Sequence, residues 1–156
     1  MTLPPENVQT YPRPPLVEPV AALVEVWLGG EKIVSTTDAI RVCETHHAPT
    51  YYIPRKAIRA VITRAHGSSF CEWKGGARYW TFEAGGKVAR KCAWGYPTPT
   101  QWFKDIAGRL AIYAGEMDEC RVAGMKVEPQ PGEFYGGWVT PNLRGRIKGG
   151  PGSYGW

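Results

Sequence analysis

Apolar and polar positions alternate with a period of two through most of the chain, and glycine pairs interrupt the alternation. Leu23-Val-Glu-Val-Trp-Leu28 and Glu31-Lys-Ile-Val-Ser35 flank Gly29-Gly30. That arrangement predicts a β-hairpin, because a Gly-Gly pair supplies the positive φ angles of a tight turn. Ala39–Glu44 and Thr50–Ile53 read as further strands, the second ended by Pro54. Strands over 69–74 and 77–83, separated by a turn at Gly75-Gly76, and a strand over 87–94 after Gly85-Gly86 follow the same logic. A last small hairpin is expected over 119–127, turning at Gly124. Gly-centred turns thus recur near 28–31, 84–87 and 123–125, without a residue-level repeat.

Two segments carry a helical period instead. Ala57, Ile58, Val61, Ile62 and Ala65 predict a short helix over 55–65, opened by Pro54 and closed by Gly67. A second helix is expected after Thr98, with Thr98 as cap, Pro99 in the first turn and Gln101 completing a capping box. Its buried face would be Trp102, Phe103, Ile106 and Leu110, and Gly115 its end.

Composition supports this picture. The 156 residues include 7 Trp, 8 Tyr, 19 Gly and 14 Pro, a mix that suits short strands and many turns and argues against a helical bundle. The expected fold class is mainly β: curved antiparallel sheets in a small barrel-like or tent-like domain with one or two short helices. Residues 1–20 form a Pro-rich arm, 21–128 a single domain, and 129–156 a basic tail rich in glycine and aromatics. Composition alone makes that tail disordered, whereas Trp138 and Trp156 are costly to leave in water and favour docking on the body; both readings stand.

A net charge of +5 permits an anionic ligand but falls short of the dense basic patches of nucleic-acid binders. The first residues, Met-Thr-Leu-Pro-Pro-Glu-Asn, lack the basic-then-apolar pattern of a signal peptide, so none is expected, and no apolar run is long enough for a membrane span. Four widely spaced cysteines, none in a Cys-x-x-Cys pair, fit a cytoplasmic protein with reduced thiols.

The chemistry concentrates in Phe70–Trp80, where a thiol, an ammonium and several rings share eleven positions. Regular alternation would put Cys71 and Trp73 on one face and Lys74 on the other, unless a bulge re-aims one of them. Cys71 is the candidate nucleophile, since a nearby ammonium such as Lys74 favours the thiolate of a cysteine; His47 and His66 are the possible partner imidazoles. Glu44, at a strand end beside histidines, is a candidate general base. Tyr51, Tyr52, Trp73, Trp80 and Trp94 are candidate pocket rings, with at most one of the two adjacent tyrosines facing a pocket. Cys43, His46, His47 and Cys71 are metal-ligand types, but the second pair lacks the spacing of a structural zinc site, so no metal is expected, and nothing names a cofactor. Arg144, Arg146 and Lys148 among glycines could grip phosphate or RNA, against the usual reading of such a tail as solvated charge, and no phosphate-loop motif occurs.

Several motifs occur together in a distinctive order: Tyr11-Pro-Arg-Pro-Pro15 with Val17-Glu-Pro19, Glu44-Thr with Tyr51-Tyr-Ile-Pro54, Cys71-x-Trp-Lys-Gly75 with Tyr79-Trp80, and Ala93-Trp94-x-Tyr96-Pro97. Together they resemble the bacterial domain of unknown function 427 family, over nearly the whole chain. The endings Tyr135-Gly-Gly-Trp138 and Gly149-Gly-Pro-Gly152 are similar to its longer members. The resemblance implies a compact, mainly β domain of curved antiparallel strands with one or two helices. The family is sometimes nicknamed nucleotidyltransferase-like, but no Gly-Ser motif with paired aspartates is visible here. Glu72, His46, Ala48 and Arg55 depart from the residues common at those positions. The resemblance also favours a pocket role for Glu44.

Three functional expectations follow. The first is a cytoplasmic protein binding a small polar or aromatic metabolite in a pocket formed by Glu44, Tyr52, Cys71, Trp73, Lys74, Trp80 and Trp94. The second is a cysteine-dependent hydrolase or transferase with Cys71 as nucleophile, Lys74 assisting, and Glu44 or a histidine as base. The third is an interaction module whose two arms wrap a partner or a second copy in a homodimer. A membrane partner is not expected.

Overall fold

The computed structural model describes residues 3–132 and 135–149; Trp156 and most of the Gly149–Gly152 motif lie outside the described residues. The strands are β1 (Glu6–Asn7), β2 (Leu16–Val20), β3 (Val24–Leu28), β4 (Glu31–Thr36), β5 (Ala39–Cys43), β6 (Thr50–Ile53), β7 (Val61–Cys71) and β8 (Gly75–Ala84), followed by β9 (Lys87–Gly95), β10 (Leu110–Ile112), β11 (Glu119–Val122), β12 (Met125–Lys126), β13 (Glu128–Pro129), β14 (Trp138–Val139) and β15 (Leu143–Arg144). The fold is mainly β, as alternation implies. Seven strands form one antiparallel sheet in the order β2-β5-β6-β10-β9-β8-β7, and four form a second in the order β12-β11-β3-β4. The larger sheet keeps β2 and β7 as free edges, so the strands do not close into a barrel.

Three hairpins follow the glycine pattern, one of them β11 into β12 at Ala123-Gly124. Gly29 and Gly30 turn β3 into β4 with φ of +62° and +80°, and Gly85 and Gly86 turn β8 into β9. The two Gly-Gly turns meet backbone to backbone: a Cβ on Gly29 would lie 2.1 Å from the Ala84 carbonyl oxygen. No side chain fits there, so the contact between the sheets requires glycine on both sides.

Short helices are present, but the first expected helix is absent and the second is shorter than expected. Residues 55–57 make a single 3-10 turn, and Val61–Cys71 is the long edge strand β7. The β-branched run Val61-Ile62-Thr63 favours extended backbone, and pairing with β8 (Val61 opposite Glu83) satisfies it. The apolar period at 57–65 is therefore coincidental: Ile58 is buried, while Val61 is 59% exposed. After Thr98 the chain makes only a 3-10 segment, Gln101–Ile106, kinked at Phe103. Thr100, not Thr98, precedes it, and its hydroxyl donates to the Trp73 carbonyl instead of capping. Phe103 and Ile106 are buried as expected, but Trp102 is 60% exposed, its indole N–H donating to Pro15 O, and Leu110 belongs to β10. Gly115 ends no helix; it sits within the 3-10 turn Ala114–Glu116.

The turn between β7 and β8 also falls elsewhere than expected. Cys71 pairs with Gly75, so the loop is Glu72-Trp73-Lys74, and Gly75 re-enters the strand with φ of +103°. Placing the turn earlier changes which side chains meet, with consequences for the site.

Val20, Val24, Val26, Ile33, Tyr51, Phe82 and Ile112 belong to the core between the two sheets. On the opposite face of the large sheet a second cluster gathers Val42, Tyr52, Trp94, Tyr96, Phe103 and Ala111. The outermost described segments fasten onto this frame. Arg41 ties the N-terminal segment to β5 through Glu6 at 2.8 Å and Glu18 at 2.6 Å. Glu6 also accepts a short hydrogen bond from the Tyr11 hydroxyl. Beyond β13, Trp138 is 1% exposed, stacks on Tyr51 and donates its indole N–H to Ile112 O at 2.8 Å. The two end segments pair with each other as β1 and β15, in parallel. Among the described residues, no helix is long and apolar enough to cross a membrane.

Candidate functional site

The aromatic face of the large sheet carries a cleft of about 400 Å³. Strand order explains its composition. The three-residue strand β10 sits between β6 and β9, bringing the 44–52 segment and the 71–96 hairpins onto one surface. Alternation in β6 sends Tyr51 into the core and Tyr52 toward the cleft. Alternation in β8 likewise separates Tyr79, on the cleft, from Trp80.

Six of the seven pocket residues expected from sequence line this cleft: Glu44, Tyr52, Cys71, Trp73, Lys74 and Trp94. Trp80 does not. It lies against the inter-sheet core, with the Arg55 guanidinium 4.4 Å and that of Arg64 5.7 Å from its ring centroid.

Cys71 and Lys74 do not point apart. The three-residue turn folds Lys74 back, and its Nζ lies 3.9 Å from Cys71 Sγ and 5.6 Å from the Phe103 ring centroid. Lys74 makes no ion pair among the described residues. The floor beneath is aromatic, with Tyr52, Tyr96 and Trp94 packed in one cluster and the Tyr52 and Tyr96 ring centroids 6.4 Å apart. Burial holds the Tyr52 phenol well above its ordinary pKa, so it stays neutral. Cys71 is half-buried, whereas Cys43, Cys92 and Cys120 are fully buried and burial pushes each of those thiols up to about 12. The weighed zinc set is not assembled: among the described residues, no three His, Cys, Asp or Glu side chains are grouped to hold a metal.

His47 is the main feature that sequence reasoning underused. Its Nε2 lies 3.7 Å from Glu44 Oε2, and its Nδ1 lies 3.0 Å from Gln130 Nε2. Gln130 is 3% exposed, and its other contacts fix which way the amide points. Oε1 accepts from the Ala48 N–H at 3.2 Å, and Nε2 donates to Lys148 O at 2.9 Å. The amide therefore presents N–H to His47, Nδ1 must accept, and the ring proton sits on Nε2, toward Glu44. Burial, helped by the charges of Lys148 and Lys74, lowers the His47 pKa against the pull of Glu44. The result is an oriented neutral imidazole on the same cleft as a thiol and an ammonium.

The remaining wall comes from the C-terminal segment. Tyr135 packs edge-on against His47 with ring centroids 5.1 Å apart, and Gly136 lies flat on Trp94, where a Cβ would approach the ring to 1.9 Å. Lys148 lines the same wall. Tyr79, Tyr113 and the 135–137 strap separate the cleft from a more open hollow of about 750 Å³ bearing Lys91 and Glu116. Tyr79 and Tyr96 carried a signal in the sequence, alternation beside Ala77 and the Trp94-x-Tyr96 spacing. Gln130 and Lys148 carried none, since only long-range folding brings them here.

No curated protein matches the chain in sequence. A family model does, over residues 16–123, so β2 through β11 and every cleft residue from Glu44 to Tyr113 fall inside the match, while Gln130, Tyr135 and Lys148 fall outside it. On that match the chain belongs to the family described as Domain of unknown function (DUF427).

Proposed function

We propose that the protein works in the cytoplasm as a binder of a small anionic metabolite with a flat, apolar body, seated in the cleft on the aromatic face. One observation carries the reading: Lys74 lines the cleft without an ion-pair partner among the described residues, beside the rings of Tyr52, Trp94 and Tyr96. An ammonium in that position attracts an anion, and the rings give the rest of the ligand an apolar surface. Thermal-shift measurements of the full chain against a panel of aryl carboxylates and nucleotides, benzoate among them, test this. At least one anion raises the melting temperature of the natural chain and leaves Lys74→Gln unmoved. A panel without any shift overturns the reading.

A second reading rests on a separate observation, the 3.9 Å contact between Lys74 and Cys71 on a cleft that also holds the oriented His47. In it, Cys71 is a nucleophile, with Glu44 or His47 as base, in a hydrolase or transferase. Timed alkylation with iodoacetamide, read by mass spectrometry, separates the two. A nucleophile labels at least about tenfold faster in the natural chain than in Lys74→Gln. Equal rates reduce Cys71 to a wall of the binding site.

A further inference from the structure

The face of β7 and β8 opposite the cleft carries a strip of arginines and rings. Strand register sets it out: Arg64 stands opposite Trp80, Ser68 opposite Arg78 and Phe70 opposite Gly76. Opposed residues share a face, and alternation along β8 puts Arg78 and Trp80 on the side of Phe82, away from Tyr79. Phe82 is fully buried between the sheets. Nearer the β7–β8 turn the same face opens: Trp80 is half-buried, Arg64, Ser68 and Arg78 are exposed, and Phe70 is 79% exposed.

A third arginine joins from outside the hairpin. Arg55, on the 3-10 turn after β6, holds its guanidinium 4.4 Å from the Trp80 ring centroid, and that of Arg64 lies 5.7 Å from the same point. An indole attracts a guanidinium without neutralising its charge. Among the described residues, Arg55, Arg64 and Arg78 make no ion pair. Strands β7, β8 and β9 contain one carboxylate, Glu83, which stands opposite Val61 and alternates onto the other face. Net charge did not anticipate this strip, because its arginines are scattered in the sequence and only strand pairing and the fold of the 55–57 turn line them up.

We propose that the strip binds single-stranded nucleic acid, with Arg55, Arg64 and Arg78 on its phosphates and Phe70 under a base. Charge complementarity selects a polyanion, and rings set among cations select one that carries stackable bases. From the level of Trp80 to that of Gly76 the strip runs four residues, about 13 Å, which leaves room for successive phosphates. An acidic protein strand added to the free edge of β7 matches less well, because a bulge between Arg64 and Ser68 interrupts that edge. The strip is independent of the small-ligand reading above; of its residues, Phe70 alone also borders the cleft.

Fluorescence anisotropy of the full chain with labelled oligouridylate and oligothymidylate of about 12 nucleotides tests this, at salt from about 50 to 200 mM. The natural chain binds at least one of them, and log affinity falls linearly with log salt. Arg64→Gln and Arg78→Gln each make that slope shallower by about 0.7, the share of one phosphate contact on a single strand. Phe70→Ala weakens binding about tenfold at unchanged slope, as loss of a stacked base does. Trp80 is left in place, since it packs on the inter-sheet core. Lys126→Gln, which removes a charge from β12 on the other sheet, changes neither affinity nor slope.

A natural chain that binds neither oligonucleotide overturns the proposal. A duplex held as tightly as the single strand, or Lys126→Gln costing as much as Arg64→Gln, also overturns it, since either means diffuse attraction. Poly-glutamate that displaces the oligonucleotide at equal charge gives the strip to an acidic protein, and a natural dimer that Phe70→Ala dissociates gives it to a second copy; both overturn it. Affinity lost in Lys74→Gln but kept in Arg64→Gln puts the nucleotide in the cleft, so that the strip falls and the small-ligand reading stands.

Discussion

The two faces of the seven-stranded sheet are made by the same strands and finished differently. Toward the four-stranded sheet, alternation delivers mainly aliphatic and small side chains, with Phe82, Tyr51 and Trp138 the largest, and every polar tip is matched: the Trp138 indole N–H finds Ile112 O. Toward the cleft it delivers Tyr52, Trp94, Tyr96 and Tyr79, whose rings bury area but whose hydroxyls and N–H groups must find partners. The Tyr79 hydroxyl, for one, donates to Ser69 Oγ at 2.8 Å, at the edge of an open space. Among the described residues, no buried side-chain nitrogen or oxygen lacks a hydrogen bond. A second sheet covers the first face; among the described residues, a 3-10 segment and the C-terminal strap cover the other. A sheet face that is aromatic and incompletely covered is where a ligand has room and grip.

The contrast breaks most visibly in stability. Phe82 is fully buried between the sheets, and Phe82→Ala costs about 3–5 kcal/mol in urea unfolding, the range for a large ring deleted from a packed core. Lys74→Ala, on the other face, stays within about 0.5 kcal/mol of the natural chain, as for a side chain outside the core, while abolishing anion binding. Comparable losses from the two substitutions would make the cleft face a second core and remove the reason to regard it as a site.

The strap sharpens the comparison at an intermediate scale. Gly136 lies against Trp94, which in turn lies 4.4 Å from Tyr113 between ring centroids, so neither ring can yield freely. Gly136→Ala forces the strap off the indole at about 1–3 kcal/mol, the usual cost of overpacking. Trp94 gains exposure, and tryptophan emission moves to longer wavelength. An unchanged emission maximum with unchanged stability would mean the strap does not press on the cleft floor.

These two faces were unequally legible in the sequence. Hairpins at Gly29-Gly30, Gly85-Gly86 and Ala123-Gly124 were readable because a tight turn imposes a backbone conformation that few residues adopt. The separation of Tyr51 from Tyr52 followed from alternation alone. The helix expected over 55–65 failed because five apolar positions fit a helical period, while the β-branched run at 61–63 and the open edge of β8 decided for a strand. Placing the turn at Gly75-Gly76 set Lys74 on the face opposite Cys71; the turn at 72–74 reverses that. Trp80 was grouped with the pocket although Tyr79, one position earlier, is the ring facing it. The wall built by Gln130, Tyr135 and Lys148 had no local signal, because its position depends on contacts such as Gln130 with Ala48, more than eighty positions apart in the chain.

The finest test of the contrast is in pH, because a titrating imbalance belongs to the cleft face. The His47 pKa is lowered in the folded chain, chiefly by burial, with Lys148, Lys74 and His46 acting the same way and Glu44 opposing. The amide of Gln130 adds a geometric reason, since a protonated Nδ1 would set donor against donor across 3.0 Å. A histidine whose folded pKa lies below its unfolded value, about 6.5, binds its proton more weakly in the native state. Between those two values the unfolded chain holds more protons, so stability rises with pH; the contribution is complete above about pH 6.5 and is lost as the pH falls toward the folded value. Urea midpoints measured at steps from about pH 7.5 to 5 therefore decline for the natural chain, and His47→Gln declines less over the same window. Exposed carboxylates such as Asp118 and Glu119, whose pKa values are lowered by hydrogen bonds to Gly30 and Arg121, contribute equally in both chains and cancel in the difference. The difference is small beside that of Phe82→Ala, yet its sign is decisive. A natural chain that gains stability relative to His47→Gln on acidification would mean that Glu44 dominates the imidazole, and that His47 enters the cleft as a cation.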